Sequence, residues 1–406
     1  MKILILNAGS SSQKSRLYEI IDHPTSTAPT PLWAADASWT PKKGVAELKV
    51  TANGQTITQA LPAKELSSTI EPLFKTLWSG KTQVITQPTE IDIVGHRVVH
   101  GGPQYHQSVL ITPDVKVEIQ RLAPFAPLHN PENLKGIEEV ERILGNVAQV
   151  AVFDTAYHSH LPQETMVYPG PYSWFEQGIR RYGFHGISHQ YCARRSSQIV
   201  KRDLKSLRIV NCHLGNGCSL AAIQAGQSID TTMGFTPLEG LMMGTRSGSI
   251  DPSILLYLQR EYGYSTAQLD QMLNQESGLK GISGVSGDMR TVLQAVKEDN
   301  QRAKLALSMY IYRLCYFIGA MIASLGGIDA LTFTGGVGEN SPEVRAKTCE
   351  AFRFLTLELD QAKNAASPLD QDIATPQSAV RVLVVHTEED WEIARECWNV
   401  KRTSVH

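Results

Sequence analysis

The sequence predicts an α/β protein made of two related domains. Three observations carry that prediction. A strand, a polar glycine turn and a second strand occur at Ile3 to Tyr18 and again at Arg208 to Ile223, one in each half of the chain. Both hairpins are followed by alternating helical and strand patterns. The chain has 406 residues, 42% hydrophobic and 19% charged, enough for two or three domains with their own cores. Two such domains would offer a pair of glycine-polar hairpins to a shared cleft, an arrangement suited to gripping a polyphosphate from both sides.

The elements follow in order. Ile3 to Leu6 is an apolar run closing on NAGSSSQKSRLYEI, with Lys14, Arg16 and Tyr18 sharing one parity on the returning strand. The turn lacks the G-x-x-x-x-G-K-[ST] spacing of a P-loop. Residues 23 to 64 alternate in short stretches and read as an antiparallel extension, and Glu65 to Trp78 reads as a helix. Ile91 to Gly102 is a buried strand running into a glycine pair. Its His96 and His100 have metal-like spacing with no carboxylate to complete a site. Asn130 is expected to cap a helix with Pro131 at its first position, ending near Leu144. An apolar strand then delivers Asp154 at its end, a position shared by catalytic carboxylates and turn aspartates.

His185 lies between glycines ahead of a helix expected from Ser188, which suits ligand contact better than core packing. Between Arg208 and Ile223, the residues Gly215, Asn216 and Gly217 can take positive φ and bring bare N–H groups to a ligand; an ordinary hairpin shares this pattern. The stretch DTTMGFTPLEGLMMGTRSGSID has little strand or helix character, and a loop of that length is usually functional. Helices are expected at Pro252 to Glu261, Ser265 to Gln275 and Arg290 to about Leu325, with GLKGISGVSGDMR as a Gly/Ser-rich loop. LTFTGGVGENSPEVR is strand, glycine turn and helix, which suits a nucleotide. The last strand meets its helix at the acidic cluster Glu388 to Asp390.

Composition excludes several classes. A net charge of −2 provides no field for nucleic acid or an anionic membrane. Six scattered cysteines without a C-x-x-C pair indicate neither zinc nor a disulfide framework. No signal peptide is expected, nor any membrane-spanning segment, because Gly319 and Ser324 interrupt the longest apolar run. A reduced cytoplasm is the expected location.

Taken together, NAGSSSQKSRLY, GHRVVHGG, PLHNPENLKGI, FDTAYH, IRRYGFHGISH, HLGNGCSLAA, DTTMGFTPLEGLMMGTRSGSIDP, SGLKGISGVSGDMR and FTGGVGENS closely resemble the acetokinase family of short-chain carboxylate kinases. The resemblance runs in order through essentially the whole chain. It implies two duplicated ribonuclease-H-like domains of the actin-like ATPase superfamily around a nucleotide cleft, usually as a homodimer. The first would comprise residues 1–156 and 388–406, with the C-terminal helix folding back, and the second residues 157–387. The reaction implied is reversible, Mg²⁺-dependent, in-line transfer of the ATP γ-phosphoryl group to acetate, giving acetyl phosphate and ADP, with Mn²⁺ as a substitute metal. A propionate-preferring relative is the alternative. A nucleotide-dependent chaperone module would lack its peptide-binding domain and leave Arg97, His185 and Arg246 without a task.

Carried over by motif, the resemblance implies Asn7 and Glu389 at the metal, with neighbouring acids competing for the second assignment. Ser10, Ser12 and Lys14 would serve the phosphates from the first hairpin. His213, Leu214, Gly215, Asn216 and Gly217 would do so from the second. Asp288, Met289 and Arg290, with Gly336, Val337, Gly338, Glu339 and Asn340, would hold adenosine. Arg97 would hold the substrate carboxylate in a pocket of Val99, Leu128, Phe184 and Pro237, valine at 99 favouring acetate over propionate. Asp154, His185 and Arg246 would be catalytic, Asp154 as an orienter of metal or arginine more than as a base. Gln13 and Ser15 stand where the family usually has an apolar pair.

Overall fold

The computed structural model describes residues 1–8, 12–40, 44–63, 66–127, 129–366 and 369–403, with the Leu66 side chain excepted. Ser10 and Leu128 therefore lie outside the described residues. The chain divides into two compact units, Met1–Ser159 with Glu388–His406, and His160–Thr387.

The first unit carries an eight-stranded sheet: β1 (Lys2–Ala8), β2 (Ser12–Glu19), β3 (Trp33–Trp39), β4 (Val45–Ala52), β5 (Gln55–Pro62), β6 (Ile93–Val98), β7 (Val109–Leu110) and β8 (Ala148–Phe153), in the order β5-β4-β3-β2-β1-β6-β8-β7. The second carries β9 (Arg208–Leu214), β10 (Cys218–Gln224), β11 (Gln227–Thr231), β12 (Ala330–Thr334), β13 (Gln371–Asp372) and β14 (Arg381–Val384), in the order β11-β10-β9-β12-β14-β13. The central five strands repeat. Both β3-β2-β1 and β11-β10-β9 are antiparallel, and each continues through two parallel neighbours, β6-β8 or β12-β14. This is the duplicated ribonuclease-H-like architecture of the actin-like ATPases.

β1 is an unbroken apolar run from Ile3 to Leu6, and every residue of β12, Thr332 and Thr334 included, is buried, as expected for strands covered on both faces of a parallel sheet core. The helix Glu389–Thr403 packs on β1, β6 and β8. A Cβ at Gly95 of β6 would lie only 2.8 Å from Ile393 Cγ2, so a side chain there would push this helix off the sheet. Trp391 is buried edge-on against Tyr18, with ring centroids 5.2 Å apart. In β2, Gln13 and Ser15 are buried and satisfy each other: Gln13 Nε2 donates to Ser15 Oγ at 3.4 Å, which is how the sheet accepts polar residues at apolar positions.

Several expected boundaries shift for local reasons. The turn Gly215-Asn216-Gly217 contains no positive φ, so its glycines are required for clearance rather than for handedness. Asn130 does not cap its helix, which begins one residue earlier than expected. The expected helix from Arg290 is two, Met289–Lys297 and Gln301–Leu325, broken at Asp299 (φ 64°) and restarted by Asn300, whose Oδ1 accepts from Ala303 N–H at 2.9 Å. Residues Gly278–Ser283 are helical within the expected Gly/Ser-rich loop. The helix at His185 starts at Gly186. The Glu65 to Trp78 pattern resolves into a 3₁₀ turn, Leu66–Thr69, and the helix Ile70–Trp78.

One expectation is corrected outright. Gly319 and Ser324 do not interrupt the helix, and Gln301–Leu325 is long and apolar enough to cross a membrane. A glycine inside a helix costs only about 1 kcal/mol, and the Ser324 hydroxyl donates back to Ala320 O at 3.3 Å. In this fold its buried stripe, including Ala303, Leu307, Leu314 and Ile318, packs on β9, β10 and β11 and on neighbouring helices.

His96 and His100 are buried without a metal-like cluster around them among the described residues. His96 Nε2–H donates to Gln149 Oε1 at 2.6 Å, and His100 Nδ1 accepts from Gly102 N–H at 2.9 Å. Burial pushes both imidazoles down to about 4 from the model-peptide value of 6.5. Both are neutral in the fold, while the unfolded chain takes up their protons at higher pH. Their contribution is thus complete above about pH 6.5 and is lost as pH falls toward 4, by up to ~3 kcal/mol each. The Tm of the full chain should drop through that window, and the double variant His96→Gln/His100→Asn should lose part of the slope. An unchanged slope in the variant contradicts the assignment.

Candidate functional site

In the first unit the site grows from the C-terminal ends of β1, β6 and β8. Asp154 follows β8 directly and is 1% exposed, its N–H donating to Val98 O at 2.9 Å. Arg97 of β6 donates through Nη2 to Asp154 Oδ2 at 2.8 Å and through Nη1 to Ala8 O at 3.3 Å. Its buried Nε has no hydrogen-bond partner among the described residues. Burial works against the Arg97 charge, but the Asp154, Glu389 and Asp390 carboxylates outweigh it and raise its pKa. The guanidinium is fixed on one side and keeps donor capacity on the other, as a group awaiting an anion should.

Val99 is buried, and two asparagines that sequence reading had not selected for this purpose fix its backbone. Asn133 Oδ1 accepts from Val99 N–H at 3.1 Å, and Asn130 Oδ1 accepts from His100 N–H at 3.1 Å while its Nδ2 donates to His100 O at 3.1 Å. The N-P-E-N spacing places both amides on the first turn of Asn130–Leu144, so the signal was present as a pair one helical turn apart.

Asn7, at the end of β1, donates through Nδ2 to Asp390 Oδ1 at 2.9 Å and to Glu389 Oε2 at 3.3 Å. Asp390 also faces Arg16 Nε at 3.6 Å. Burial raises the Asp390 pKa against Arg16, Asn7 and Lys14. Asp390 is thus engaged within the protein, whereas the longer Asn7 contact is the one side-chain hydrogen bond of Glu389 among the described residues. No group of three or more His, Cys, Asp or Glu suited to a metal occurs among them. The Glu389 carboxylate with the Asn7 amide does fit Mg²⁺, which takes one or two carboxylates and fills its remaining positions with water and phosphate. Ser12 is half-buried and Lys14 exposed on β2.

In the second unit the site is built on the β9–β10 hairpin. Gly215 N–H donates to Gly217 O at 3.1 Å, closing the turn after His213 and Leu214. A Cβ on Gly217 would meet Arg246 Nη1 at 3.3 Å and His185 Nε2 at 3.5 Å, so the missing side chain lets both groups approach one spot. The long loop after β11 is tied to this turn by Gly244 N–H, which donates to Asn216 O at 3.1 Å, and it closes on itself where Met243 N–H donates to Arg246 O at 3.1 Å. Arg246 Nη1 donates to Pro237 O at 3.1 Å. Burial lowers its pKa, opposed only by Cys218, and it pairs with no carboxylate among the described residues. His185 holds φ 57° at the start of the helix Gly186–Val200, a left-handed value uncommon for a non-glycine residue. Its ring stacks on His213 at 4.2 Å, and His213 Nδ1 meets Ser188 Oγ at 2.8 Å. Phe184 beside it is buried.

The residues expected at adenosine divide by role. Asp288 caps the helix Met289–Lys297 through Arg290 N–H, and the exposed Arg290 side chain holds its carboxyl below the usual range. Met289 belongs to the core. Gly336 is open, and Val337 and Asn340 belong to the same short helix, Gly335–Asn340. Glu339 points inward, accepting from Gly335 N–H at 3.0 Å and His386 Nδ1 at 2.7 Å. Arg345, fully buried, donates to the carbonyls of Gly338 and Glu339, both at 2.8 Å. These contacts make the glycine turn after β12 rigid.

Comparisons with known proteins agree with one another. The family model described as Acetokinase family matches residues 2–395. An acetate kinase of Cyanothece sp. is 60% identical over 405 residues, covering 100% of this chain and 99% of that protein. The crystal structure of Porphyromonas gingivalis acetate kinase superposes with a TM-score of 0.89 at 40% identity, covering 98% and 99% of the two chains. A propionate kinase from Francisella tularensis gives 0.89 at 37% identity, with the same coverage. The chain belongs to the acetokinase family.

Proposed function

We propose that the chain is an acetate kinase, transferring the γ-phosphoryl group of ATP to acetate and running in reverse from acetyl phosphate and ADP. The observation that carries this reading is Arg246: a partly buried guanidinium on Pro237 O, beside His185, with no carboxylate partner among the described residues. Such a cation is kept for an anion that arrives with the substrates.

The chemistry requires little proton transfer. An acetate oxygen is already nucleophilic at neutral pH, and it attacks the γ-phosphorus as the bond to the bridging oxygen breaks, leaving its electron pair on ADP. The barrier is repulsion between anions. Arg97 receives the carboxylate, held in place by Asp154, whose ion pair to Arg97 supports an orienting role over that of a base. Arg246 and His185 donate to the phosphoryl oxygens as charge develops. Ser12 and Lys14, with Ser10, serve the phosphates from the first hairpin, and His213 to Gly217 from the second. The adenosine moiety lies by Gly336 to Asn340 and Asp288 to Arg290. Glu389, with Asn7 through water, would hold Mg²⁺ or Mn²⁺, which supplies charge neutralisation of the β- and γ-phosphates when bound. Val99, Phe184 and Pro237 would be the apolar residues that serve the methyl group, as the family motifs imply. We read the two compact units as the two ATPase-like domains, the C-terminal helix completing the first.

A homodimer is favoured by Leu305, Met309, Tyr312 and Tyr316, exposed apolar residues recurring at helical spacing on Gln301–Leu325 opposite its buried stripe. Sedimentation velocity at micromolar concentration should give a dimer, and a monomer removes this part of the reading. The substrates and the six free thiols suit a cytoplasmic enzyme.

Hydroxylamine trapping with ATP, Mg²⁺ and acetate should yield acetyl hydroxamate, with kcat falling at least ~100-fold in Arg246→Ala. Undiminished turnover in that variant contradicts the role of Arg246. In the same assay acetate should exceed propionate in kcat/KM, and Val99→Ala should move the ratio toward propionate by about tenfold. A wild-type preference for propionate would instead favour the propionate kinase reading that the Francisella relative represents.

A further inference from the structure

Beneath His185 lies a hydrogen-bonded chain that the phosphoryl-transfer reading leaves without a task. His185 Nδ1 meets Ser219 Oγ at 2.9 Å, Ser219 Oγ meets His189 Nε2 at 2.8 Å, and His189 Nδ1 meets Asn211 Nδ2 at 2.7 Å. Ser219, His189 and Asn211 are all 0% exposed. The scaffold brings them together from three elements. His185 and His189 lie on successive turns at the start of Gly186–Val200, Asn211 lies on β9, and Ser219 on β10. Cross-strand pairing of Asn211 with Ala221 and of Ser219 with His213 puts both polar side chains on one face of the hairpin.

We infer that Asn211, His189 and Ser219 are positioning residues that set the tautomer of His185, so that its proton is carried on Nε2, the nitrogen beside Gly217 and Arg246. The inference rests on the reading of His185 as a donor to the transferred phosphoryl group. The direction follows from donor inventory. The Asn211 amide turns Nδ2 to His189 and leaves Oδ1 buried without a hydrogen-bond partner among the described residues; in that orientation Nδ2 can only donate, so His189 Nδ1 accepts and His189 carries its proton on Nε2. That N–H donates to Ser219 Oγ. The single serine hydrogen then goes to His185 Nδ1, which leaves the neutral ring protonated at Nε2. The opposite amide orientation would reverse every donor in the chain, so Asn211 is the point where the direction is set.

The arrangement has a catalytic use. A neutral imidazole with a fixed Nε2–H is a preorganised donor that needs no reorganisation when charge develops on the phosphoryl oxygens. Its αL backbone and the stacked His213 ring hold the same orientation from the other sides. In a free imidazole the two tautomers interconvert, and only part of the population would present a donor at Nε2.

The test uses full-length protein labelled with ¹⁵N-histidine, without substrates, together with steady-state kinetics. Wild type should show His185 protonated at Nε2 and unprotonated at Nδ1. Asn211→Asp, whose carboxylate accepts from His189 Nδ1–H, should reverse the chain and move the His185 proton to Nδ1. Ser219→Ala should give mixed tautomers and lower kcat roughly 10- to 100-fold with KM for ATP and acetate within about threefold. Ser219→Thr, which keeps the hydroxyl, should restore both the spectrum and kcat. An Nδ1–H tautomer in wild type, or an unchanged His185 spectrum in Asn211→Asp, overturns the inference. So does wild-type kcat in Ser219→Ala. Should Ser219→Ala fail to fold, Asn211→Asp decides alone. The spectrum needs no turnover, so failure of the acetate kinase reading and failure of this inference are separately visible.

Discussion

A guanidinium kept charged inside protein without a carboxylate partner must be satisfied by neutral acceptors. Arg246 meets that constraint with carbonyl and backbone contacts in place of a carboxylate, and much of the second unit is arranged to make this tolerable. An internal acid would neutralise the charge and blunt its pull on phosphate. Pro237 O takes one N–H without quenching the charge, and the Asn216–Gly244 tie anchors the loop that carries the arginine. Arg97 solves the same problem differently: Asp154 and Ala8 O grip one side, and the unpartnered Nε remains.

The scaffold explains why such groups can be precise. Both units present a β-hairpin running into parallel strands, so Asn7, Arg97 and Asp154 sit at strand ends and His185 at a helix start, while Arg246 comes from the loop after β11. Small residues then permit the approach. Gly217 has no side chain to separate Arg246 from His185, and Gly95 lets Glu389–Thr403 lie close on the first sheet, which brings Glu389 and Asp390 to Asn7. At the glycine turn after β12 the buried Arg345 instead braces the backbone, donating to the carbonyls of Gly338 and Glu339.

Local pattern made much of this legible. Both hairpins, the strand leading to Asp154, the irregular loop holding Arg246 and the helix after His185 follow from apolar runs and glycine punctuation. Less legible were features that depend on partners far along the chain. Nothing near Ser219 announces that it will join two histidines some thirty residues away, and Asn130 looks like a helix cap until His100 is seen between its amide atoms. The acidic cluster did not disclose which carboxylate would be engaged, because Arg16 and Asn7 make that choice from β2 and β1. Propensity also misled at Gly319, where tertiary packing carries a helix through a residue that weakens it.

In the proposed mechanism Arg246 serves the transition state more than the ground state. The most direct test compares binding of ATP with binding of ADP, acetate and aluminium fluoride, a mimic of the phosphoryl group in flight, in wild type and Arg246→Ala with Mg²⁺ present. The mimic should lose at least ~100-fold in affinity while ATP changes by no more than about threefold. Equal losses for both would show that Arg246 binds substrate uniformly, and would contradict the account.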